Sequence, residues 1–188
     1  MFREGIHHNL EKVITELLTL VGEDPTRHGL KDTPKRVANM YQEILSGYAE
    51  NPHQVVGNAL FPVSTSQVVT IKEIQFCSTC EHHLLPFFGT VNIAYIPDKH
   101  VIGLSKLPRL VKIFSNRLQL QERLGEELSS AIDEILQPKG LLCEIRAMHL
   151  CVKMRGIKST SSEMVTRVAK GEFATNPLAR QEARELWR

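Results

Sequence analysis

The chain carries 23 Lys and Arg against 21 Asp and Glu over 188 residues, a formal net charge of +2. That balance is too small for a nucleic-acid platform and points any anionic partner toward small molecules, while the length suits one domain or a core with a helical extension. Four cysteines in a chain this long argue against a disulfide framework and for a reducing compartment, so a cytoplasmic, soluble protein is expected; Met1–Gly5 lacks a signal peptide's apolar stretch, and no run approaches the roughly 20 apolar residues that span a bilayer.

Leu10, Val13, Ile14, Leu17, Leu18 and Val21 recur at helical spacing before Gly22, which predicts a first helix with one buried stripe. Thr33 reads as the N-cap of a second helix, with Pro34 at its first position, an apolar stripe of Val37, Met40, Tyr41 and Ile44, and Gly47 as its stop. The polar stretch 49–66, punctuated by Pro52, Gly57 and Pro62, reads as a linker that divides an N-terminal helical region, 1–66, from a second domain, 67–188. Strands are expected at 68–76 and 90–96, then two helices between 105 and 136, then strands at 141–154 and 164–168. The fold class is α+β with a largely antiparallel sheet.

Two short segments hold the chemistry, Cys80-Glu81-His82-His83-Leu84-Leu85-Pro86-Phe87 and His149-Leu150-Cys151-Val152-Lys153-Met154-Arg155-Gly156. Thiolate and imidazole are good zinc ligands, and a turn brings residues three apart onto one ion, so Cys80 and His83 with Cys151 from a neighbouring strand make a three-ligand site with its fourth position open. A second reading adds Cys77 through the Cys77-Ser78-Thr79-Cys80 gap and closes the site as a structural one. Two thiolates neutralise the zinc charge, so a nearby base is needed, and His82 and His149 are the candidates. If the third strand stays regular, His149, Cys151, Lys153 and Arg155 share one face, a row suited to an anionic substrate beside a metal. Cys143 shares that parity but lies about 26 Å from Cys151 at about 3.3 Å per residue. It reads as a core cysteine, and His7, His8, His28, His53 and His100 as core or surface groups.

The ordered series Cys80-Glu81-His82-His83, Pro86-Phe87, Gly103-Leu104-Ser105-Lys106, Gln119-Leu120-Gln121-Glu122-Arg123-Leu124, His149-Leu150-Cys151 and Arg155-Gly156 resembles the signature of GTP cyclohydrolase I, from about Gly22 to Phe173. The resemblance implies zinc held by Cys80, His83 and Cys151, with Cys77 outside the set. It implies hydrolysis of GTP at carbon 8 of guanine, release of formate and rearrangement of the ribose to 7,8-dihydroneopterin triphosphate, the first step of tetrahydrofolate and pterin biosynthesis. His82 and His149 would handle protons and Ser105 would act near the ribose. Glu122 with Gln121 would read guanine, while Lys106, Arg109, Arg155 and Arg36 would bind the triphosphate. The implied fold is the tunnelling type, a four-stranded antiparallel sheet backed by helices, five sheets closing into a barrel and two rings joining as a homodecamer with sites between subunits. Three places depart from the family pattern: Asn39, where some relatives carry a lysine; Arg146 and Met148 before His149; and Val165-Thr166-Arg167. Two other classes stay in view, a non-catalytic zinc- and nucleotide-binding protein, and another enzyme of this fold acting on a pterin or deazapurine.

Overall fold

The computed structural model describes residues 6–187 of the chain. Helices α1 (Ile6–Leu20) and α2 (Thr33–Ile44) pack against each other. The cap of α2 is Asp32, not Thr33: a run of turns leads straight into the helix, with the Thr33 N–H on the Leu30 carbonyl at 2.9 Å and the Arg36 N–H on Asp32 at 3.1 Å, so no side chain caps it. Pro34 sits in the first turn, where its missing N–H costs nothing. Gly47 lies in a 3₁₀ turn beyond the helix and is needed for a close approach, since a Cβ there would stand 1.9 Å from the Ile113 carbonyl oxygen.

The stretch 49–66 contains helix α3 (Pro52–Val56), capped by the Asn51 side chain, and strand β1 (Leu60–Pro62), which pairs with β4 (His100–Ile102). The main sheet is built from β2 (Val69–Cys80), β3 (Pro86–Ile96), β6 (Gly140–His149) and β7 (Met164–Gly171), antiparallel throughout, with the short β5 (Leu118–Gln119) parallel to the end of β2. The four long strands agree with the tunnelling-fold expectation. Helices α4 (Lys106–Ser115) and α5 (Gln121–Leu136) cover one face, and alternation turns Ile74, Phe76, Val91, Ile93, Cys143 and Ile145 into the core against Leu110, Leu124, Leu128 and Ile132. Each fully buried leucine there contributes about 2 kcal/mol.

The opposite face carries a smaller cluster of Ala94, Ile96, Leu142, Phe173 and Ala183 under α7 (Glu172–Thr175) and α8 (Pro177–Glu185). These C-terminal helices were not anticipated, although Asn176-Pro177 is a start signal: the Asn176 side chain accepts from the N–H groups of Leu178 and Ala179 at 3.1 and 3.2 Å. Among the described residues no helix is long and apolar enough to cross a membrane.

The third strand corrects the expectation of a regular strand to 154. β6 stops at His149, and Leu150–Lys153 forms a helical turn, α6. The register explains it: His149 pairs with Phe87, so Leu150 would face Pro86, the first residue of β3, which has no N–H to offer a ladder. The row of His149, Cys151, Lys153 and Arg155 on one strand face therefore does not form.

Candidate metal centre and active site

At the end of β2 the chain turns back on itself. The Leu84 N–H reaches the Cys80 carbonyl and the Cys80 N–H reaches the Leu85 carbonyl, each at 2.9 Å, while Leu84 takes φ +54°. This turn returns His83 toward Cys80. The α6 turn after β6 brings in Cys151, and the ligand atoms of Cys80, His83 and Cys151 all lie within 4.8 Å of one another. Two sulfurs and one imidazole nitrogen suit zinc by donor type, and the set is graded from buried Cys80 through half-buried Cys151 to exposed His83, so it opens on one side. Burial and the neighbouring Cys80 sulfur push the Cys151 thiol's pKa up, with Arg155 opposing, so two sulfurs this close favour a cation between them.

Cys77 stands outside the group. Because β2 stays extended through Cys80, residues three apart face opposite sides of the sheet, and Cys77 is exposed while Cys80 is buried. Cys143 is the core residue expected, and burial raises its thiol to about 12.

The turn has a support of its own. The Glu81 N–H donates to the Gln119 carbonyl at 3.1 Å, and the Glu81 carboxylate takes a short hydrogen bond from Arg123 on α5. Arg123 also donates to the Gln119 side chain at 3.1 Å, whose amide donates to Glu127 at 2.9 Å. This chain of contacts clamps the ligand turn onto α5. Glu81 and Arg123 both lie in the sequence motifs, but 42 positions separate them, so no local spacing marks them as partners.

His149 is held on two sides. Its ring stacks on Phe87 with centroids 4.6 Å apart and planes 4° from parallel, and its Nε2 lies 2.9 Å from Gln121 Oε1. The Gln121 amide nitrogen faces Ile145 O, Met164 O and Thr166 Oγ1, each at 3.1 Å, so its oxygen must face His149 and the imidazole donates through Nε2. In the neutral ring Nδ1 then carries the lone pair. Burial lowers the His149 pKa, and the Glu122 carboxylate opposes that shift, which places Glu122 within electrostatic range. Arg155 donates to His83 Nε2 at 2.7 Å, and the exposed His82 meets the His83 ring edge to face at 6.2 Å.

One end of the sheet thus gathers Cys80, His83, Cys151, His82, His149, Gln121, Glu122 and Arg155. The other expected residues are not among them. Lys106 donates to the Val55 carbonyl at 2.8 Å, Arg36 pairs with Asp32 at 3.6 Å, Ser105 precedes α4 without a side-chain cap bond, and Arg109 is exposed on α4.

The family model described as GTP cyclohydrolase I matches residues 10–188. The chain belongs to the GTP cyclohydrolase I family. Its relatives include the GTP cyclohydrolase 1 of Leptospira biflexa, 45% identical over 179 residues, covering 95% of this chain and 98% of that protein. That of Campylobacter concisus is 42% identical, covering 94% and 93%. That of Chlorobium chlorochromatii is 47% identical, covering 93% and 78%. A crystal structure of the archaeosine synthase QueF-Like in the apo form overlaps 58% of this chain and 97% of its own, at 19% identity and a TM-score of 0.47.

Proposed function

We propose that the protein is a zinc-dependent GTP cyclohydrolase I acting in the cytoplasm, which opens the guanine imidazole ring of GTP at carbon 8, releases formate and rearranges the ribose to 7,8-dihydroneopterin triphosphate. The observation that carries this reading is the convergence of a Cys80, His83 and Cys151 ligand set with the fixed imidazole of His149 in a chain of this family. Cys80, His83 and Cys151 would hold the zinc, which when bound supplies Lewis acidity to the hydrolytic steps.

The chain's own residues supply the rest. Glu122 accepts from the ring's amino and imino groups, a pairing that adenine cannot offer. Gln121 sits beside it, but its side-chain amide is committed to Ile145, Met164, Thr166 and His149, so its part in recognition is to keep His149 in place against the base. His149 presents Nδ1 as proton acceptor, and His82, exposed at the rim, is the second proton carrier. Arg155 moves between His83 and the substrate's phosphates. Arg36, Lys106 and Arg109 bind the triphosphate and Ser105 contacts the ribose, and we assign these four to the subunit next door in a homodecamer of two pentamers.

Zinc-loaded protein incubated with GTP should yield formate and, after oxidation and dephosphorylation, fluorescent neopterin. Formate without neopterin would limit the reading to ring opening, and no formate from a zinc-replete oligomer would sink it.

A further inference from the structure

A second cationic surface lies across the sheet from the metal centre. On the β6 face turned away from α4 and α5, the side chain of Glu144 is 2% exposed and meets three guanidiniums: Arg146 Nε at 2.9 Å, Arg167 Nε in a short contact and Arg184 Nε at 3.6 Å. Contact through Nε spends one of five donors on each arginine. Arg146 spends a further nitrogen on Glu163 at 3.4 Å, whereas Arg167 and Arg184 form no other side-chain hydrogen bond among the described residues. Arg180, one turn before Arg184 on α8, rests NH1 on the carbonyls of Phe173 and Ala174 at 2.5 and 2.9 Å, leaving its other nitrogens.

Beside these groups a cavity of about 380 Å³ is lined by Leu142, Arg167, Pro177, Arg180, Gln181 and Arg184. Three guanidiniums and an amide line it, and no carboxylate does; Glu144 lies beneath two of the arginines and offsets one charge of the three. Like charges at this spacing repel, and an anion between them relieves that cost. The guanidinium fork matches phosphate oxygens two at a time, and the volume falls within the range of small-molecule sites.

We propose that this groove binds a phosphate-bearing small molecule at a site separate from the metal centre. The test is calorimetric titration of the zinc-loaded protein with inorganic pyrophosphate, comparing native protein with Arg180→Gln, Arg184→Lys and, as a control on the triphosphate-binding residues of the substrate site, Arg109→Ala. Saturable binding is expected in the native protein and in Arg109→Ala, weakened by about tenfold or more in Arg180→Gln, where the fork is lost. Arg184→Lys keeps a cation over Glu144 and guards against a folding defect; it too should bind more weakly. GTP turnover and the unfolding midpoint should stay at native values in both groove variants. Native affinity in either folded groove variant, or no saturable binding in the native protein, overturns the proposal.

Discussion

His149 depends on Gln121 for both its tautomer and its place, and Gln121 in turn is 1% exposed and spends its whole amide on four partners from β6, β7 and the imidazole itself. Gln121→Leu keeps the volume and strands those acceptors. It should cost about 1–3 kcal/mol of stability, since buried acceptors lose their donor. It should also lower kcat by about 10²-fold, because a mispositioned base loses most of its advantage. Thermal unfolding and steady-state kinetics together check this; a lost midpoint with native kcat would leave Gln121 a purely structural residue. The grouping of Cys80, His83 and Cys151 was legible in the sequence because spacing and residue type carry metal-ligand chemistry directly. The standing of Cys77 was not, because it turns on whether β2 remains extended to Cys80, and that is decided by its pairing with 86–88 of β3. Gln121 was legible as a motif residue, but its partners sit 24 to 45 positions away, beyond the reach of any local pattern.

At the scale of elements, the ligand turn is held by its contact with α5. Arg123→Ala removes the hydrogen bond to Glu81 and the link to Gln119, and should weaken metal affinity by about 10- to 100-fold, the usual effect of losing a group that orients a ligand. Competition with a chromophoric chelator measures this without reference to turnover, and native affinity would show that the turn stands on its backbone bonds alone. On the other face Glu144 joins α8 to the sheet. Burial raises its pKa, but the hydrogen bonds from Arg167 and Arg146 outweigh burial and hold the carboxyl below its ordinary 4.5. A folded pKa below the unfolded one means that the stabilisation is complete above about pH 4.5 and is lost as pH falls through the folded value. Glu144→Gln should therefore flatten the acid limb of the stability curve relative to native protein; parallel limbs in an acid titration would assign the acid loss to other carboxylates. The long strands and helices were readable from period alone. The break of β6 at His149 was not, since it reflects the partner strand's Pro86, and α3 and β1 were hidden because short elements in a polar stretch owe their stability to packing, β1 to its pairing with β4.

For the whole molecule, a single chain leaves surfaces that call for partners. α1 exposes Val13, Leu17 and Leu20 at 57%, 50% and 77%, and the main sheet ends in two edges, β5 and β7. In the proposed homodecamer, closure of five sheets into a ring would remove those edges. The proposed assignment of Ser105, Lys106 and Arg109 to a neighbouring subunit's site is tested on the same assembly. Cys80→Ser and Arg109→Ala, each inactive alone, should recover activity when co-expressed, because some interfaces then pair an intact metal centre with an intact phosphate site. Sedimentation should show one oligomer throughout, and an active monomer, or co-expressed variants as inert as either parent, would place the complete site within one chain.

Zinc content and formate release, measured on the same preparations of Cys77→Ser and Cys80→Ser, test most directly whether an open three-ligand metal centre hydrolyses GTP. Cys77→Ser should keep one zinc per chain and release formate from GTP, while Cys80→Ser should lose both. Loss of zinc from Cys77→Ser would mean a closed, four-ligand structural site, and formate from zinc-free Cys80→Ser would mean that the chemistry does not depend on this centre.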